Sequence, residues 1–401
     1  MIAHPTRPRL AVVLSHPTQY YSPWFRWLRA NTPLTFRVFY LWNFGVTPQR
    51  DPKFATSFQW DVDLLSGYES EFVPNLAADP GTHHFRGLDN PELTARLQLW
   101  DPTAVLLFGY NWLSHVRVIF WARRRGVPLL FRGDSHLLGR EALPFRTRLV
   151  LRTLYRQFAA FLPVGAANRA YFTALGVPEE KLFFTPHTVN DAFFDPAHPE
   201  TRAAAGALRE SMGLAASTLV VLFAGKLVPE KQPRELLAAF LALGAPDAAL
   251  VFVGDGPEKP GLLDAARTAP PGTVHLLPFA NQSEMPTRYL LADLFVLPSR
   301  GHYETWGLAV NEAMHMGVPA LVSDRVGCQQ DLVTPGETGW VFRAEDSSDL
   351  RSQLGAALTT LRDPAAVPSL RQRLRARIGG YTYATAADGL RRALRGLGFT
   401  P

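Results

Sequence analysis

Short aliphatic runs alternate with amphipathic stretches over most of this chain. In the first half, RLAVVLSH at 9–16 has the continuous apolar pattern of a buried strand, and PWFRWLRAN at 23–31 has apolar residues at helical spacing. The alternation continues through strand-like runs at 36–42, 104–110 and 181–189. Strands that alternate with helices form parallel sheets with helices on both faces. The chain is therefore predicted to have an α/β fold.

The alternation lapses once, at 191–215, and restarts with the strand-like run LVVLFAG at 219–225. We therefore predict two doubly wound, Rossmann-like domains, 1–190 and 216–375, joined by a linker at 191–215. The last stretch, 376–401, is predicted to be a closing helix that could pack back on the first domain. Ligands bind outside the carboxyl ends of the strands in such sheets, so two facing domains would place a cleft between them.

The charge balance favours anionic ligands. The 401 residues carry a formal net charge of +6, which suits phosphorylated small molecules, nucleic acid or an acidic membrane surface. Only five of the 41 basic residues are lysines, and the arginines are dispersed over many predicted helices, which indicates a compositional bias and a solvated surface. The single cysteine, Cys328, excludes an internal disulfide framework and is typical of the reducing cytoplasm.

The sequence predicts no membrane-spanning segment. No apolar run approaches the roughly 18 residues that a spanning helix requires, and the amino-terminal stretch is interpreted as a first strand rather than a secretory signal. The basic amphipathic helix predicted at 144–158 is interpreted as packing on its domain, with the arginine heads in solvent. A weak peripheral contact with anionic lipid is the alternative. We expect a cytoplasmic protein, with the inner face of the membrane as the place of any such contact.

Two glutamates follow the strand-like run DLFVLPS. Glu304 lies in the predicted loop and Glu312 in the next helix, which is predicted to begin near Trp306. The backbone N–H groups of Thr305 to Leu308 would then lie at a helix N-terminus, which suits a phosphate or sugar oxygens. The carboxylates could accept hydrogen bonds from the hydroxyls of two rings, and their separation of about 10–12 Å is wider than that of a glycoside hydrolase pair. The alternative is two ordinary helix carboxylates.

Two lysines follow the first strand of the second predicted domain. In FAGKLVPEKQP, Gly225 allows a tight backbone turn, and Lys226 and Lys231 lie within six residues of each other. Since lysine is rare in this chain, the pair indicates a site for a leaving diphosphate, whose negative charges need such partners. The alternative is two ordinary surface lysines.

A D-x-D pattern occurs at Asp61 and Asp63, a spacing that elsewhere holds a metal on a nucleotide sugar. Here it lies in WDVDLLSGY, where a period-two pattern predicts a strand with both carboxylates on one face. We interpret the pair as structural and expect neither a metal nor another cofactor.

Four segments of the second half together resemble the signature of the retaining glycosyltransferases of family 4. They are ETWGLAVNE with the following AMHMGVPALVSD, GKLVPEK, VFVGDGP, and VGCQQDLVTPGETGWVF. The resemblance extends from about 219 to 342. The first half is more divergent, but HPTQYYSP at 16–23 and FRGDSH at 131–136 resemble a bacterial branch of the same family. The resemblance implies the GT-B architecture, in which two Rossmann-like domains face each other across a cleft.

The resemblance also implies roles for individual residues. Glu304 would contact the hydroxyls of the donor sugar and Glu312 the ribose of the nucleotide. Lys226 would neutralise the diphosphate together with Lys231. The other residues that it implies are Gly225 and the backbone of Thr305, Trp306, Gly307 and Leu308 for the diphosphate and sugar, Gly254, Phe279 and Ser283 for the nucleotide, Asp134 or His136 beside the transferred sugar, and His16, Gln19 and Tyr20 on the acceptor side.

Two departures from the family pattern are visible. Lys226 stands where the family usually has arginine, so the charge remains but the bidentate fork is lost, which predicts weaker diphosphate binding. The loop after the first strand lacks the glycines that many relatives have there. The structural alternative for His136 also stays open, because a lone histidine at a strand end often has a packing role.

The function implied is the retaining transfer of a sugar from a nucleotide diphosphate sugar to an acceptor, an activity of class EC 2.4. The acceptor would be a glycan, a lipid-linked molecule or a small molecule. The acceptor hydroxyl would attack from the face of the leaving diphosphate, whose own oxygen could accept the proton. The alternatives are a related epimerase or hydrolase of nucleotide sugars, and a basic nucleic-acid-binding protein. The last would need arginines clustered on one face, so we expect no nucleic acid partner.

Overall fold

The structure is a computed structural model that describes residues 8–47, 49–50, 57–140, 142–301 and 303–400. Its first sheet is built from six strands: β1 (Arg9–Leu14), β2 (Thr35–Tyr40), β5 (Ser70–Phe72), β6 (Ala104–Phe108), β7 (Leu129–Arg132) and β8 (Ala160–Phe161). They lie in the order β5-β2-β1-β6-β7-β8, and every neighbouring pair is parallel. A separate antiparallel pair, β3 (Gln49–Arg50) and β4 (Ser57–Phe58), was not predicted from the sequence.

The second sheet repeats this arrangement. Its strands are β9 (Leu219–Ala224), β10 (Ala248–Val253), β11 (Val274–Leu277), β12 (Leu294–Leu297), β13 (Ala320–Ser323) and β14 (Gly339–Phe342). They lie in the order β11-β10-β9-β12-β13-β14, again all parallel. Numbered within each sheet, both have the strand order 3-2-1-4-5-6 of the doubly wound fold. The predicted α/β class with two Rossmann-like sheets is confirmed.

Helices cover both sheets. They are α1 (Tyr21–Asn31), α2 (Leu93–Trp100), α3 (Leu113–Arg125), α4 (Phe145–Tyr155), α5 (Ala166–Ala174), α6 (Pro199–Ser211), α7 (Pro233–Leu243), α8 (Lys259–Thr268), α9 (Met285–Leu290), α10 (Leu308–His315), α11 (Gln329–Leu332), α12 (Ser347–Arg362), α13 (Ala366–Ile378) and α14 (Tyr383–Gly396). No helix in the described ranges combines the length and the apolar character that a membrane-spanning segment needs.

The central strands are largely apolar because both faces of each sheet are buried there. In β1, Ala11 and Val13 pack into one hydrophobic core while Leu10 and Val12 pack into another on the opposite face. The strands of the second sheet divide between two cores in the same way. This two-sided burial is what distinguishes parallel α/β sheets from half-exposed antiparallel ones.

The chain crosses between the domains twice. The first crossing follows residue 186 and leads into α6, a helix within the stretch that was predicted as a linker. After α13 the chain returns, and α14 packs against α1 and the core of the first domain through Ala386, Leu390 and Leu394. The final helix therefore belongs to the first domain by packing, although it follows the second in sequence.

Two predicted strands are wrong. Residues 181–189 run beside β8, where the N–H groups of Phe183 and Thr185 donate to Phe161 and Pro163. Pro186 then has no N–H to continue a ladder, and only an isolated bridge at Leu182 forms. Residues 60–64 form no strand either, because this stretch bends instead.

The helix predicted to begin near Trp306 begins at Leu308, with Gly307 before it in a left-handed conformation (φ +97°).

Candidate active site

A cleft of about 520 Å³ lies between the carboxyl ends of the two sheets. Both sheets reverse their strand order between their first and fourth strands, and the loops after β1, β9 and β12 reach this cleft. Ligands bind at such switch points in doubly wound folds. Of the residues singled out from the sequence, the cleft is lined by Gln19, Tyr20, Asp134, Gly225, Lys226, Lys231, Gly254, Phe279, Glu304, Thr305, Trp306, Gly307, Leu308 and Glu312.

An ion pair joins the two switch-point loops of the second sheet. Lys231 Nζ lies 2.8 Å from Glu304 Oε2, and both side chains are largely shielded from solvent. The same carboxylate oxygen accepts a hydrogen bond from Ser299 Oγ at 3.0 Å. Lys226 lines the cleft beside this pair. Two cations and one carboxylate therefore stand where the loops after β9 and β12 meet.

Glycines allow the loops after β9 and β10 to approach each other. Gly254 has φ +146°, and a Cβ built on it would lie 2.0 Å from the carbonyl oxygen of Gly225. Any larger residue would push these two loops apart. Gly225 itself has φ +154°, a conformation that L side chains rarely adopt. The glycines predicted at this site are thus required by close backbone contact.

The loop before α10 is fixed from behind. The N–H of Gly327 donates to the Glu304 carbonyl at 3.1 Å, and the N–H of Cys328 donates to that of Trp306 at 2.8 Å. A Cβ on Gly327 would lie 1.8 Å from the Thr305 carbonyl oxygen, so the two segments are in direct contact. Trp306 is buried and donates its indole N–H to Asn311 at 2.8 Å. These contacts orient the Glu304 side chain and the start of α10 toward the cleft.

Asp134 of the first domain faces this loop across the cleft. Its Oδ2 accepts a hydrogen bond from Thr305 Oγ1 at 2.8 Å and lies 3.6 Å from Nε2 of His187. Burial alone would raise the pKa of Asp134, but the nearby imidazole of His187 and the hydrogen bond from Thr305 hold the pKa below its usual value. The carboxylate is therefore ionised at neutral pH.

His136 lies beside the cleft without lining it. Its Nδ1 accepts the N–H of Leu138 at 3.1 Å, so Nε2 carries the proton and donates to the Glu304 carbonyl at 3.3 Å. The side chain is buried. His136 thus holds the backbone of Glu304 from the first domain, which favours the structural alternative over direct chemistry.

Glu312 is buried at the far end of the cleft. Its two carboxylate oxygens accept hydrogen bonds from Tyr289 Oη at 2.7 Å and from Gln282 Nε2 at 3.2 Å. Burial raises the pKa of Glu312 to about 7, although these hydrogen bonds oppose the shift. Burial, with the Glu312 charge nearby, also raises the pKa of Tyr20 well above its usual value. Tyr20 is thus neutral and reaches Glu312 from the first domain.

Besides His136, two predicted residues lie outside the cleft lining. His16 packs its ring against Trp42 and Phe44, with centroids 5.8 and 5.4 Å away, and burial lowers its pKa to about 4. Ser283 is engaged with Asp61 of the first domain, which accepts bonds from its N–H and its hydroxyl. In its place the neighbouring Gln282 lines the cleft.

Several lining residues were missed by the sequence reasoning. His187 follows Pro186 in the segment that was predicted as a strand, so its exposure to the cleft was hidden. Tyr289 and Gln282 lie in a short helical region that carries no recognisable polar pattern. Ser299, which contacts Glu304 without lining the cleft, could also have been found, because it ends the strand-like run that leads to Glu304.

The two carboxylates of the D-x-D pattern have separate partners. Asp61 binds Ser283 across the domains, whereas Asp63 accepts the N–H groups of Leu65 and Ser66 in a turn. Within the described ranges, one group of side chains has the proximity of metal ligands: Asp79, His83 and His84. It lies outside the lining of the cleft.

Comparison with known proteins identifies related sequences and folds. Residues 206–375 match the family described as glycosyl transferases group 1. The chain is 33% identical over 202 residues to a D-inositol 3-phosphate glycosyltransferase of Nocardia farcinica, covering 48% of this chain and 43% of that protein. It is also 33% identical over 184 residues to a GDP-mannose-dependent alpha-mannosyltransferase of Corynebacterium glutamicum, covering 44% and 41%. The chain thus spans less than half of the length of these two relatives.

Longer matches are more distant. A D-inositol 3-phosphate glycosyltransferase of Rhodococcus erythropolis is 27% identical over 364 residues, which cover 84% of this chain and 79% of the relative. Among solved structures, Anabaena HepE in complex with UDP superposes with a TM-score of 0.71 at 16% identity, covering 96% of this chain and 99% of that one. Sucrose-phosphate synthase from Thermosynechococcus elongatus gives 0.71 at 19% identity, covering 98% and 99%. Residues 206–375 thus match glycosyl transferases group 1, and the chain as a whole has the GT-B fold of these structures.

Proposed function

We propose that this protein is a retaining glycosyltransferase that moves a sugar from a nucleotide diphosphate sugar to an acceptor held by the first domain, without a metal. The observation that carries the proposal is the group of Lys226, Lys231 and Glu304 at the switch point of the second sheet. Asp134 of the first domain faces this group. Such a cleft has charges of both signs for a diphosphate and for sugar hydroxyls. The family match and the reducing environment that suits Cys328 favour a cytoplasmic enzyme.

The donor diphosphate would bind between the two lysines and the start of α10. Lys226 and Lys231 would neutralise the charge that develops on the departing diphosphate, which is the main way in which such a site lowers the barrier. The backbone N–H groups near Gly307 and Leu308 would add the positive end of a helix. Lys231 would exchange part of its contact with Glu304 for a phosphate oxygen.

The sugar and nucleotide would occupy the two ends of the cleft. Glu304 would accept hydrogen bonds from the sugar hydroxyls, since its oxygen already accepts bonds from Lys231 and Ser299. Glu312 would accept from the ribose hydroxyls, and Phe279 with Gln282 would border the base. A solved structure with the same fold contains UDP, which supports a nucleotide at this end of the cleft.

The first domain would supply the acceptor side. Asp134 is ionised and positioned by Thr305 and His187, so it can orient a hydroxyl of the sugar or the acceptor. Gln19 and Tyr20 line the same side. The acceptor hydroxyl would attack from the face that the diphosphate leaves and pass its proton to a diphosphate oxygen. The protein would then contribute orientation and charge neutralisation rather than a covalent nucleophile.

A panel of nucleotide diphosphate sugars tests the proposal directly. We expect at least one to raise the melting temperature, and the best binder to support transfer in a screen of glycan, lipid-linked and small-molecule acceptors. Turnover should persist in excess EDTA. Product analysis without an acceptor separates transfer from epimerisation or hydrolysis. Stabilisation by no member of the panel, with tight and salt-sensitive nucleic acid binding instead, would contradict the proposal.

Binding of the nucleotide sugar is expected to tighten as the pH rises through about 7. In the free protein the buried Glu312 has a pKa of about 7, so it is partly protonated at neutral pH. Ribose hydroxyls that donate to the carboxylate favour its ionised form, and binding therefore releases a proton. Below this pKa, affinity should fall by up to about tenfold per pH unit. Calorimetry in buffers of different ionisation enthalpy measures both effects.

The intact nucleotide sugar is the suitable probe, because its diphosphate does not titrate in this range. Glu312→Gln should bind it more weakly and without this pH dependence. A pH profile that is identical in wild type and Glu312→Gln would show that another group is responsible.

A further inference from the structure

The first half of α4 carries three exposed apolar side chains. Phe145, Leu149 and Val150 are 78%, 56% and 65% exposed. Only Leu151 and Tyr155, from the second half of the helix, are buried. The predicted packing of the apolar residues of this helix is thus confirmed for its second half and wrong for its first. Isolated exposed apolar residues are common, but three within six residues form a surface that needs an explanation.

The exposed apolar residues are surrounded by positive charge. Arg146, Arg148 and Arg152 of this helix are exposed, and so is Arg156, which directly follows it. The sequence contains no aspartate or glutamate between 142 and 178, so nothing within this segment compensates their charge. Phe145 and Leu149 are four residues apart and share one helix face, and Arg152 follows three residues later on that face. The arrangement is an apolar ridge flanked by cations.

This surface follows a loop that reaches the cleft. The loop that leads from β7 into α4 carries Asp134 and His136, which contact Thr305 and Glu304 of the second domain. Farther along the same loop, Gly139 lies against the guanidinium of Arg325, also of the second domain. The exposed first turn of α4 therefore begins only eleven residues after Asp134. The turn is therefore joined to the cleft by a short loop that is held against the second domain.

We propose that the first half of α4 docks this protein on an anionic lipid bilayer and so presents the cleft to a lipid-borne acceptor. An interfacial helix buries apolar side chains among the lipid head groups while its basic residues attract anionic lipids. Phe145, Leu149 and Val150 supply the apolar part, and the arginines supply the charge complementarity. The docking stands on these residues alone. The lipid-borne acceptor rests in addition on the proposed glycosyl transfer.

Sedimentation of the full chain with vesicles tests the docking without any sugar donor. We expect the protein to sediment with vesicles of phosphatidylcholine mixed with phosphatidylglycerol and not with phosphatidylcholine alone, and added salt should weaken the binding. Phe145→Gln with Leu149→Gln should lower the partition coefficient by roughly tenfold or more. Arg146→Gln and Arg148→Gln should each lower it by roughly fivefold.

Leu99→Gln is the matched control, because Leu99 is 89% exposed on α2 and lies outside this surface. It should bind vesicles as the wild type does. Equal loss in Leu99→Gln, or a wild type that stays in solution with anionic vesicles, would overturn the proposal. The proposal would also be overturned if the Phe145/Leu149 double variant bound vesicles as the wild type does and differed only in its oligomeric mass in solution. The surface would then join two copies of the chain. Unchanged nucleotide-sugar binding by the Phe145/Leu149 variant separates this test from that of the proposed function.

Discussion

Replacing Lys231 by alanine is expected to lower kcat/KM for the nucleotide sugar by roughly 10²- to 10³-fold, as loss of one preorganised partner of a developing oxyanion does in other enzymes. Lys231 is the cation that joins the two switch-point loops, and its Nζ lies 2.8 Å from Glu304. Without it, the leaving diphosphate would retain Lys226 but lose a charge in the shielded part of the cleft. Steady-state kinetics with the best donor of the panel measure the effect.

Lys259→Ala is the control for this variant. Lys259 pairs with Asp255 at 2.7 Å, is 30% exposed where Lys231 is 26%, and lies outside the cleft lining. It should leave kcat/KM within about twofold of the wild type, because exposed ion pairs contribute little. Equal losses in both variants would indicate a general effect of removing a lysine. No loss in Lys231→Ala would exclude it from the diphosphate site.

Replacing Glu304 by alanine is expected to lower kcat by roughly 10²-fold or more while the melting temperature changes little. The carboxylate connects Lys231 and Ser299 and is the acceptor that a sugar hydroxyl would find at this end of the cleft. Its loss leaves the sugar free to rotate away from the attacking hydroxyl. Glu304→Gln should retain part of the activity, since the amide oxygen still accepts a hydrogen bond.

Glu258→Ala is the matched control, since Glu258 is ion-paired with Arg234 and 14% exposed, close to the 16% of Glu304. It should keep wild-type kcat. The double variant Lys231→Ala/Glu304→Ala should lose less than the product of the two single losses, because the residues act as one unit. Ordinary turnover in Glu304→Ala would refute the assignment of this carboxylate to the donor sugar.

The sheets could be predicted because strands that are buried on both faces leave an uninterrupted apolar run. The residues that we propose to bind the donor could also be predicted, since Lys226, Lys231 and Glu304 follow such runs in sequence. Parallel strands bring their carboxyl ends to one edge, so residues just after strands meet. This rule alone is sufficient to bring the three residues together.

The rest depended on contacts between distant segments. His187 reaches Asp134 only because the chain bends away from β8 at Pro186. The apolar run at 181–189 predicted instead that a strand continues past that point. Asp61 appeared to belong to a strand, yet it binds Ser283, which is 222 residues away. The family resemblance assigned His16 to the acceptor side, but its ring packs against Trp42 and Phe44 instead. Local patterns contain no information on such partners.

The two chain crossings lie next to each other and form the hinge between the two domains. The ring of Phe184, just before the first crossing, lies 6.0 Å from the ring of Tyr381 in the second. A rotation about this pair would separate the domains at the cleft while leaving every ladder of both sheets intact. It would break contacts between the domains, such as those of Thr305 with Asp134 and of Ser283 with Asp61. A donor that bridges the two domains would replace those contacts and so stabilise the closed arrangement of the domains.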